Sequence, residues 1–521
     1  MYKQLILLGI LSTLLNAASQ AENVDWAIHS DQIYPGDGSG PVSGVLVLDN
    51  GRVRLLADGL PGDMVPARTL RAMGQIVAPG FIDPHTHACA DFAEQKDNLN
   101  ANYLTQGVTT VFCSNDGGGP VEVGQTLDNY QQWGIGTNVA LFIGHGSVRN
   151  AVLGKEDRAP TATELTQMQQ LVGQAMQQGA LGLSSGLFYV PGSYASAEEV
   201  IALAKVAAGY GGIYDSHIRD ESSYNIGLLA SVDEVIQVAQ EANIPAHISH
   251  IKALGVDVWG QSRQVIEKID HAREQGLAIT ANQYPWRASG TSLIAALVPA
   301  WAREGGHAAL LTRLRDPAQL GRIRHAMQDN LRRRGGAQAL LIVDTSDLLA
   351  KGHTLAELAK SSSRSEIETA LALIKLGDVR VASFNMADED IVAFMRQGWV
   401  MTASDGSQGH PRKFGSFPKK YADFVRDGQV ISLTDFIHRS SALTASTFGL
   451  SGRGRLASGM AADVLIFDPG TYRPLADFSE PERLSEGVSW LWVNGKVAIE
   501  KGQLSGIKAG QMLRGSGSKT P

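Results

Sequence analysis

The sequence predicts an α/β fold: a (β/α)8 barrel, a small β-sandwich domain formed from both chain ends, and a helical insertion. Three observations carry this reading. The middle of the chain alternates short apolar strands with amphipathic helices, both ends are strand-rich, and histidines and carboxylates gather at the carboxyl ends of the central strands. The 521 residues are 44% hydrophobic and 19% charged, which excludes a disordered or collagen-like chain. A net charge of −7 leaves no basic footprint, so nucleic acid is not an expected partner. Two cysteines exclude both a disulfide scaffold and a cysteine-only zinc module.

Near the start of the sequence, Lys3 is followed by an apolar run from Leu5 to Leu15 and the small-residue stretch NAASQA. This order reads as a cleavable signal peptide over residues 1–21, cut after Ala21 or Ala18. The run is shorter than the ~20 apolar residues of a membrane span, although a retained anchor is the rival reading. The expected mature protein is periplasmic or secreted, starts near Glu22 and keeps no stable membrane anchor. Residues 22–75 then read as strands, with turns at Pro35-Gly36 and Asp49-Asn50-Gly51. Similar material returns over 446–508, where Asn494-Gly495 is a hairpin signal. The last segment, 509–521, reads as a disordered tail.

Between these ends, residues 76–445 yield eight candidate strands: QIVAPGFIDPHTH, VTTVFCSND, NVALFIGHG, LGLSSG, IYDSHIR, AHISH, AITANQYP and VMTASD. Helices separate them. Thr163 precedes Leu165, Met168, Leu171, Val172, Ala175 and Met176 at helical spacing, and Gly179 ends that run. Ser196 with Glu199, and Ser231 with Glu234, have the spacing of capping boxes. Eight βα units fit a closed barrel, with an open doubly wound sheet as the rival. An Arg-rich stretch of about 301–344, with Asp316 as N-cap before Pro317, reads as an insertion. It is expected to be a solvated helical cap, with a substrate lid as the other reading.

A barrel places its active site at the carboxyl ends of its strands. His85 and His87 end the first strand, His217 the fifth, His250 the sixth and Asp405 the eighth. Alternate strand residues share a face, so the two imidazoles of His-x-His reach one metal. Imidazole and carboxylate ligands without a thiol cluster favour zinc among divalent metals. Such a metal activates water and polarises a carbonyl, while Asp405 can move a proton to a leaving nitrogen. The implied chemistry is hydrolysis of an amide-like bond in a small-molecule substrate.

Several segments resemble the amidohydrolase superfamily, and within it the N-acyl-D-amino-acid deacylases, or D-aminoacylases. They are VAPGFIDPHTH, GVTTV, GHGSVR, GALGLSSGLFYVPGSYAS, SHIRDES, HISHIKALG, QYP and SDG with HPRKFGSFP. The resemblance covers most of the mature chain. It implies a metal-dependent hydrolase barrel, one or two zinc ions, and conversion of N-acyl-D-amino acids to a carboxylate and a free D-amino acid. It implies one metal position at His85 and His87, a second at His217 and His250, and Asp405 as ligand and general base. His247 is left as a supporting or core residue. Lys252, Tyr284 and Arg412 match positions near the substrate carboxylate, with Ser289 a weaker candidate. Related readings are hydrolysis of dipeptides with a D-residue or of cyclic amides, and a non-catalytic binding protein on the same scaffold.

One departure stands out. The family commonly has cysteine at the end of the second strand, whereas SNDGG places Asp116 there. Asp116 is therefore expected as a metal ligand, harder than thiolate. LGLSSG holds no lysine to form a carbamylated bridge. Cys113 and Cys89 lie on neighbouring strands and read either as buried free thiols or as a disulfide.

Overall fold

The computed structural model describes residues 21–92 and 97–518, so the leader, apart from Ala21, lies outside the described residues. Eight parallel strands form the barrel: β1 (Phe81–Asp83), β2 (Val108–Cys113), β3 (Asn138–Leu141), β4 (Gly182–Gly186), β5 (Ile213–His217), β6 (Ala246–Ile248), β7 (Ile279–Gln283) and β8 (Val400–Thr402). Ile143–Gly144 continues β3 and pairs with β4. The circle closes where Asp405 N donates to His85 O at 2.9 Å and Thr86 bridges Gly406 in parallel. Strands buried on both faces read as continuous apolar runs, which is why VTTVFC and NVAL announce β2 and β3.

The first expected strand divides in two. Ile76–Pro79 leaves the barrel and pairs antiparallel with Val464–Phe467, so the barrel begins at Phe81 rather than at residue 76. Gly80 makes the break, since a Cβ there would meet the Thr109 side chain at 2.3 Å. Ile76–Pro79 thereby joins the two halves of the outer domain, in which eight of the nine strands follow one hydrogen-bonded path and the ninth, Met64–Arg71, pairs beside it with Glu22–Ile33. The path curls on itself: Val53 N bonds Met460 O, and Trp26 packs edge-on against Trp490 and Trp492. Residues 509–518 are not disordered. They cross the foot of the barrel as a strap, with Val139 N bonded to Gln511 O, Leu513 N to Val139 O and Gly515 N to Gly179 O.

Two helix starts differ from the sequence reading. Thr161, not Thr163, caps the helix Ala162–Gln178, in a capping box with Glu164. Ser231 lies inside the helix Leu228–Ala242, and its hydroxyl bonds Asp220 N and Gly227 O instead. Ser196 caps Ala197–Gly209 by accepting from Glu199 N, but the expected box is half made, because the Glu199 carboxylate turns to His145 and Arg149.

The insertion is also larger than 301–344. Between β7 and β8, Ala288–Ser292, Val379–Phe384 and Leu340–Thr345 form an antiparallel sheet backed by helices that include Pro317–Arg333 and Glu366–Leu376. Ile323, Met327, Ile342, Leu371, Ile374 and Val381 give it a hydrophobic core of its own. It is no detached solvated cap: Thr291, Arg334 and Arg380 from this unit line the cavity above the barrel. Among the described residues, no helix is long and apolar enough to cross a membrane.

Candidate metal centre

The carboxyl ends of β1, β2, β5, β6 and β8 converge on a cavity of about 800 Å³. At its floor, ligand atoms of His85, Asp116, His250 and Asp405 lie within 4.8 Å of one another. Asp116 Oδ1 stands 3.4 Å from His85 Nε2, 3.3 Å from His250 Nε2 and 3.6 Å from His217 Nδ1. Asp405 Oδ1 stands 3.6 Å from His85 Nε2 and 3.2 Å from His87 Nε2. His87 lies beside this set rather than within it, with its side chain 39% exposed. His250 joins both groupings, because a second set comprises His217, Glu221 and His250.

The backbone aims these groups. Asp116, His250 and Asp405 have φ of 58°, 34° and 47°, a left-handed region that residues other than glycine enter rarely and often at functional sites. These positive angles end the strand alternation and turn the side chains inward. The loop bearing Asp116 packs on β4, where a Cβ on Gly186 would lie 2.1 Å from Asp116 O.

The donor set fits a divalent cation. His85 is fully buried, yet neither ring nitrogen has a hydrogen-bond partner, and Asp116 Oδ1 and His217 Nε2 are buried without one. Groups left this way are costly unless something completes them. Burial holds His85 down at about 4, so its imidazole is neutral and able to ligate. Burial alone would raise the Asp116 carboxyl, but His85, His217 and His250 hold it well below the usual range. Burial likewise opposes ionisation of Asp405, and Arg412 with His250 overcomes it.

Glu221, which the sequence reading did not single out, holds the supporting layer. Its Oε1 lies 3.0 Å from His250 Nδ1 and accepts from Lys252 Nζ at 2.5 Å. A partner on the far nitrogen fixes which nitrogen a histidine presents, here Nε2 toward Asp116. Its only sequence signal is an acid four residues after His217 within SHIRDES. His247 is buried on the neighbouring strand, bonded to Thr280 and Asn282, outside the metal set.

Lys252, Tyr284 and Ser289 line the cavity, and the buried Tyr284 hydroxyl has no partner. Arg412 is placed differently from the sequence expectation. It lies behind Tyr284, 4.7 Å from the ring centre, with Nη1 2.7 Å from Asp405 Oδ2 and Nη2 bonded to Ser407. It therefore orients Asp405 rather than presenting a free fork to the cavity.

Cys89 and Cys113 are joined in a disulfide, Cα–Cα 6.0 Å, so neither is a free thiol. The bond ties the segment after His87 to the end of β2, three residues before Asp116. A cross-link with a sequence separation of 24 is worth ~3 kcal/mol in the chain-entropy account. Reduction, or the Cys89→Ser/Cys113→Ser double variant, is expected to lower the thermal unfolding temperature and loosen metal retention. Calorimetry and metal analysis check both, and unchanged values would assign the bond no role in holding the two loops.

The sequence profile of the amidohydrolase family matches residues 69–499. The chain is 30% identical over 482 residues to N-acyl-D-glutamate deacylase of Alcaligenes xylosoxydans xylosoxydans, covering 87% of this chain and 90% of that one. It is 28% identical over 487 residues to the D-aminoacylase of the same organism, covering 88% and 92%. A crystal structure of N-acyl-D-glutamate deacylase from Bordetella bronchiseptica, complexed with zinc and a phosphonate mimic of the tetrahedral intermediate, superposes with a TM-score of 0.81. That pair is 29% identical over 95% of this chain and 100% of the other. A D-aminoacylase crystal structure gives a TM-score of 0.80 at 26% identity, covering 94% and 100%. With its barrel, its strand-end ligands and this extent of similarity, the chain belongs to the amidohydrolase family.

Proposed function

We propose that this chain hydrolyses N-acyl-D-amino acids to a carboxylate and a free D-amino acid, with zinc held by His85, Asp116, His250 and Asp405 and flanked by His87 and His217. The observation that carries this reading is the set of buried, partnerless ligand atoms opening onto a cavity whose wall holds Lys252 and the unpartnered Tyr284 hydroxyl. The deacylases of similar length and fold, one of them complexed with zinc, support it. A divalent cation bound there lowers the pKa of water toward ~7 and polarises the scissile carbonyl.

The residues divide the remaining work. Asp405 Oδ2 is pinned by Arg412, which leaves Oδ1 to take the proton of the attacking water and deliver it to the leaving nitrogen. Lys252 Nζ and the Tyr284 hydroxyl receive the substrate α-carboxylate, with the Arg412 charge behind the Tyr284 ring. Ser289 stands beside them, bonded to Asn385. Fixing the carboxylate at one point and the carbonyl at another leaves the two enantiomers with different side-chain directions, and this is the basis of stereoselection.

The test is a stereochemical screen of N-acetyl and N-formyl amino acids on metal-analysed protein, with cyclic amides as a further arm. D-enantiomers are expected to exceed L-enantiomers at least 100-fold in kcat/KM, on the order of what a misplaced reacting bond costs. A preference for L-substrates, or turnover of cyclic amides alone, would overturn the assignment.

The mature chain is also proposed to act outside the cytoplasm. The n-, h- and c-region order of residues 1–21 supports this, and a disulfide suits an oxidising compartment. Mass spectrometry of the protein from a periplasmic fraction should give a start at Glu22 or Ser19. An intact Met1 would remove the proposal.

A further inference from the structure

We infer that Arg334 and Ser222 form a second anion subsite in the cavity, selecting substrates that carry a carboxylate besides the α-carboxylate. The inference rests on the deacylase reading above and names its substrate class.

Arg334 is 2% exposed and lines the cavity, and among the described residues no carboxylate pairs with its charge. Its Nε donates to the Tyr224 hydroxyl at 2.6 Å, while Nη1 is buried with no hydrogen-bond partner. Ser222 lines the same cavity, is fully buried, and its Oγ also lacks a partner. The two segments meet at Gly255. A Cβ there would lie 3.2 Å from Ser222 Oγ and 2.2 Å from Arg333 O, in a backbone with φ +93°. Only glycine lets the Arg333-Arg334 turn approach Ser222 so closely. A buried guanidinium is ordinarily paired, and here the guanidinium and a hydroxyl lack complements on one wall. A carboxylate completes both, accepting from the planar fork and the hydroxyl together.

The local charge agrees. Arg332, Arg333 and Arg334 run consecutively; Asp257 pairs with Arg332 at 2.7 Å, and among the described residues Arg333 and Arg334 make no ion pair. Both stack near the Tyr224 ring, at 5.7 and 5.6 Å from its centre. The adjacent acid, Glu221, is already engaged by Lys252 and His250. The other acids lining the cavity from the insertion are Asp344 and Asp378, half-buried and exposed respectively. Asp344 faces Arg380 in register, and Asp378 immediately precedes the strand Val379–Phe384 that carries Arg380. The subsite also differs from the α-carboxylate anchor, whose groups are Lys252 and Tyr284.

A second carboxylate can come from the D-amino-acid side chain or from the acyl group. The experiment therefore compares kcat/KM for N-acetyl-D-glutamate, N-succinyl-D-leucine and N-acetyl-D-leucine in the zinc-loaded enzyme. One dicarboxylic substrate is expected to exceed the neutral one at least tenfold, and which one does so identifies the source. Arg334→Met should lower that ratio about tenfold or more, to near unity, mainly through KM, since it removes a charge-assisted pair. Arg334→Lys should restore part of it and Ser222→Ala should lower it several-fold. No dicarboxylate preference in the wild type, or an equal loss on all three substrates in Arg334→Met, overturns the subsite while leaving the deacylase reading intact. Should none of the three be hydrolysed, the deacylase reading fails, and titration calorimetry with glutarate decides the subsite alone. Binding that is lost in Arg334→Met upholds it, and absent or unaltered binding overturns it.

Discussion

Asp405→Asn is expected to lower kcat by 10³- to 10⁴-fold while leaving the protein folded and its zinc content close to that of the wild type. The magnitude sits at the upper end of what general acid–base catalysis contributes. The separation of the two readouts follows from the geometry. Asn keeps one oxygen, which a bound cation draws to the Oδ1 position beside His85 and His87 at the expense of the Arg412 contact at Oδ2, and the other ligands, His85, Asp116 and His250, are untouched. It cannot take up a proton between the attacking water and the leaving nitrogen. Arg412→Met supplies the complementary case. The carboxylate stays, but the largest of the charges that oppose its burial goes and only the histidines remain, so the Asp405 pKa rises. Because the active form is the carboxylate, the acid limb of the pH–rate profile should move to higher pH, with activity partly recovered as pH increases. Asp405→Asn shows no such recovery. Turnover within tenfold of wild type in Asp405→Asn would remove Asp405 from proton transfer.

These contrasts also show what the sequence could carry. His85, His217, His250 and Asp405 were legible because a barrel converts strand ends into a site, and strand ends can be read from short apolar runs bounded by turns. The placement of Arg412 was not legible. A guanidinium within HPRKFG is near the substrate on any family reading, but whether it faces the cavity or Asp405 depends on the packing of Tyr284 over it. Glu221 was missed for a similar reason: its partners, Lys252 and His250, are 31 and 29 positions away and meet it only when β5 and β6 pair. The insertion was drawn too short because Ala288–Ser292 reads ASGTS, with little apolar content, and pairs only with the distant Val379–Phe384. Likewise the strap at 509–518 is polar and glycine-rich. Its order comes from backbone bonds to the barrel foot, which leave no hydrophobic pattern in the sequence.

Asp116 invites the sharpest test of the metal centre, because here the chain departs from the cysteine its family commonly uses. Asp116 Oδ1 lies within 3.6 Å of His85, His217 and His250 together, so its negative charge offsets the mutual crowding of three imidazoles around a cation. Asp116→Asn is the informative variant. Asn tolerates the left-handed backbone that position 116 adopts at φ 58°, so the fold should persist while the anionic oxygen is lost. Zinc affinity is expected to fall by more than 100-fold, beyond the 10- to 100-fold typical of disturbing a group that only supports a ligand. Turnover should fall with it and return in part at high zinc. Asp116→Cys separates charge from hardness. A thiolate keeps the negative charge but is softer, so zinc retention should survive while binding of a hard ion such as manganese drops relative to wild type. The added thiol lies near Cys89 and Cys113, and mass mapping of the native disulfide must show that pair intact before the metal preference is compared. Full zinc content and turnover in Asp116→Asn would mean that the bridging charge comes from elsewhere, with Asp405 the nearest carboxylate able to provide it.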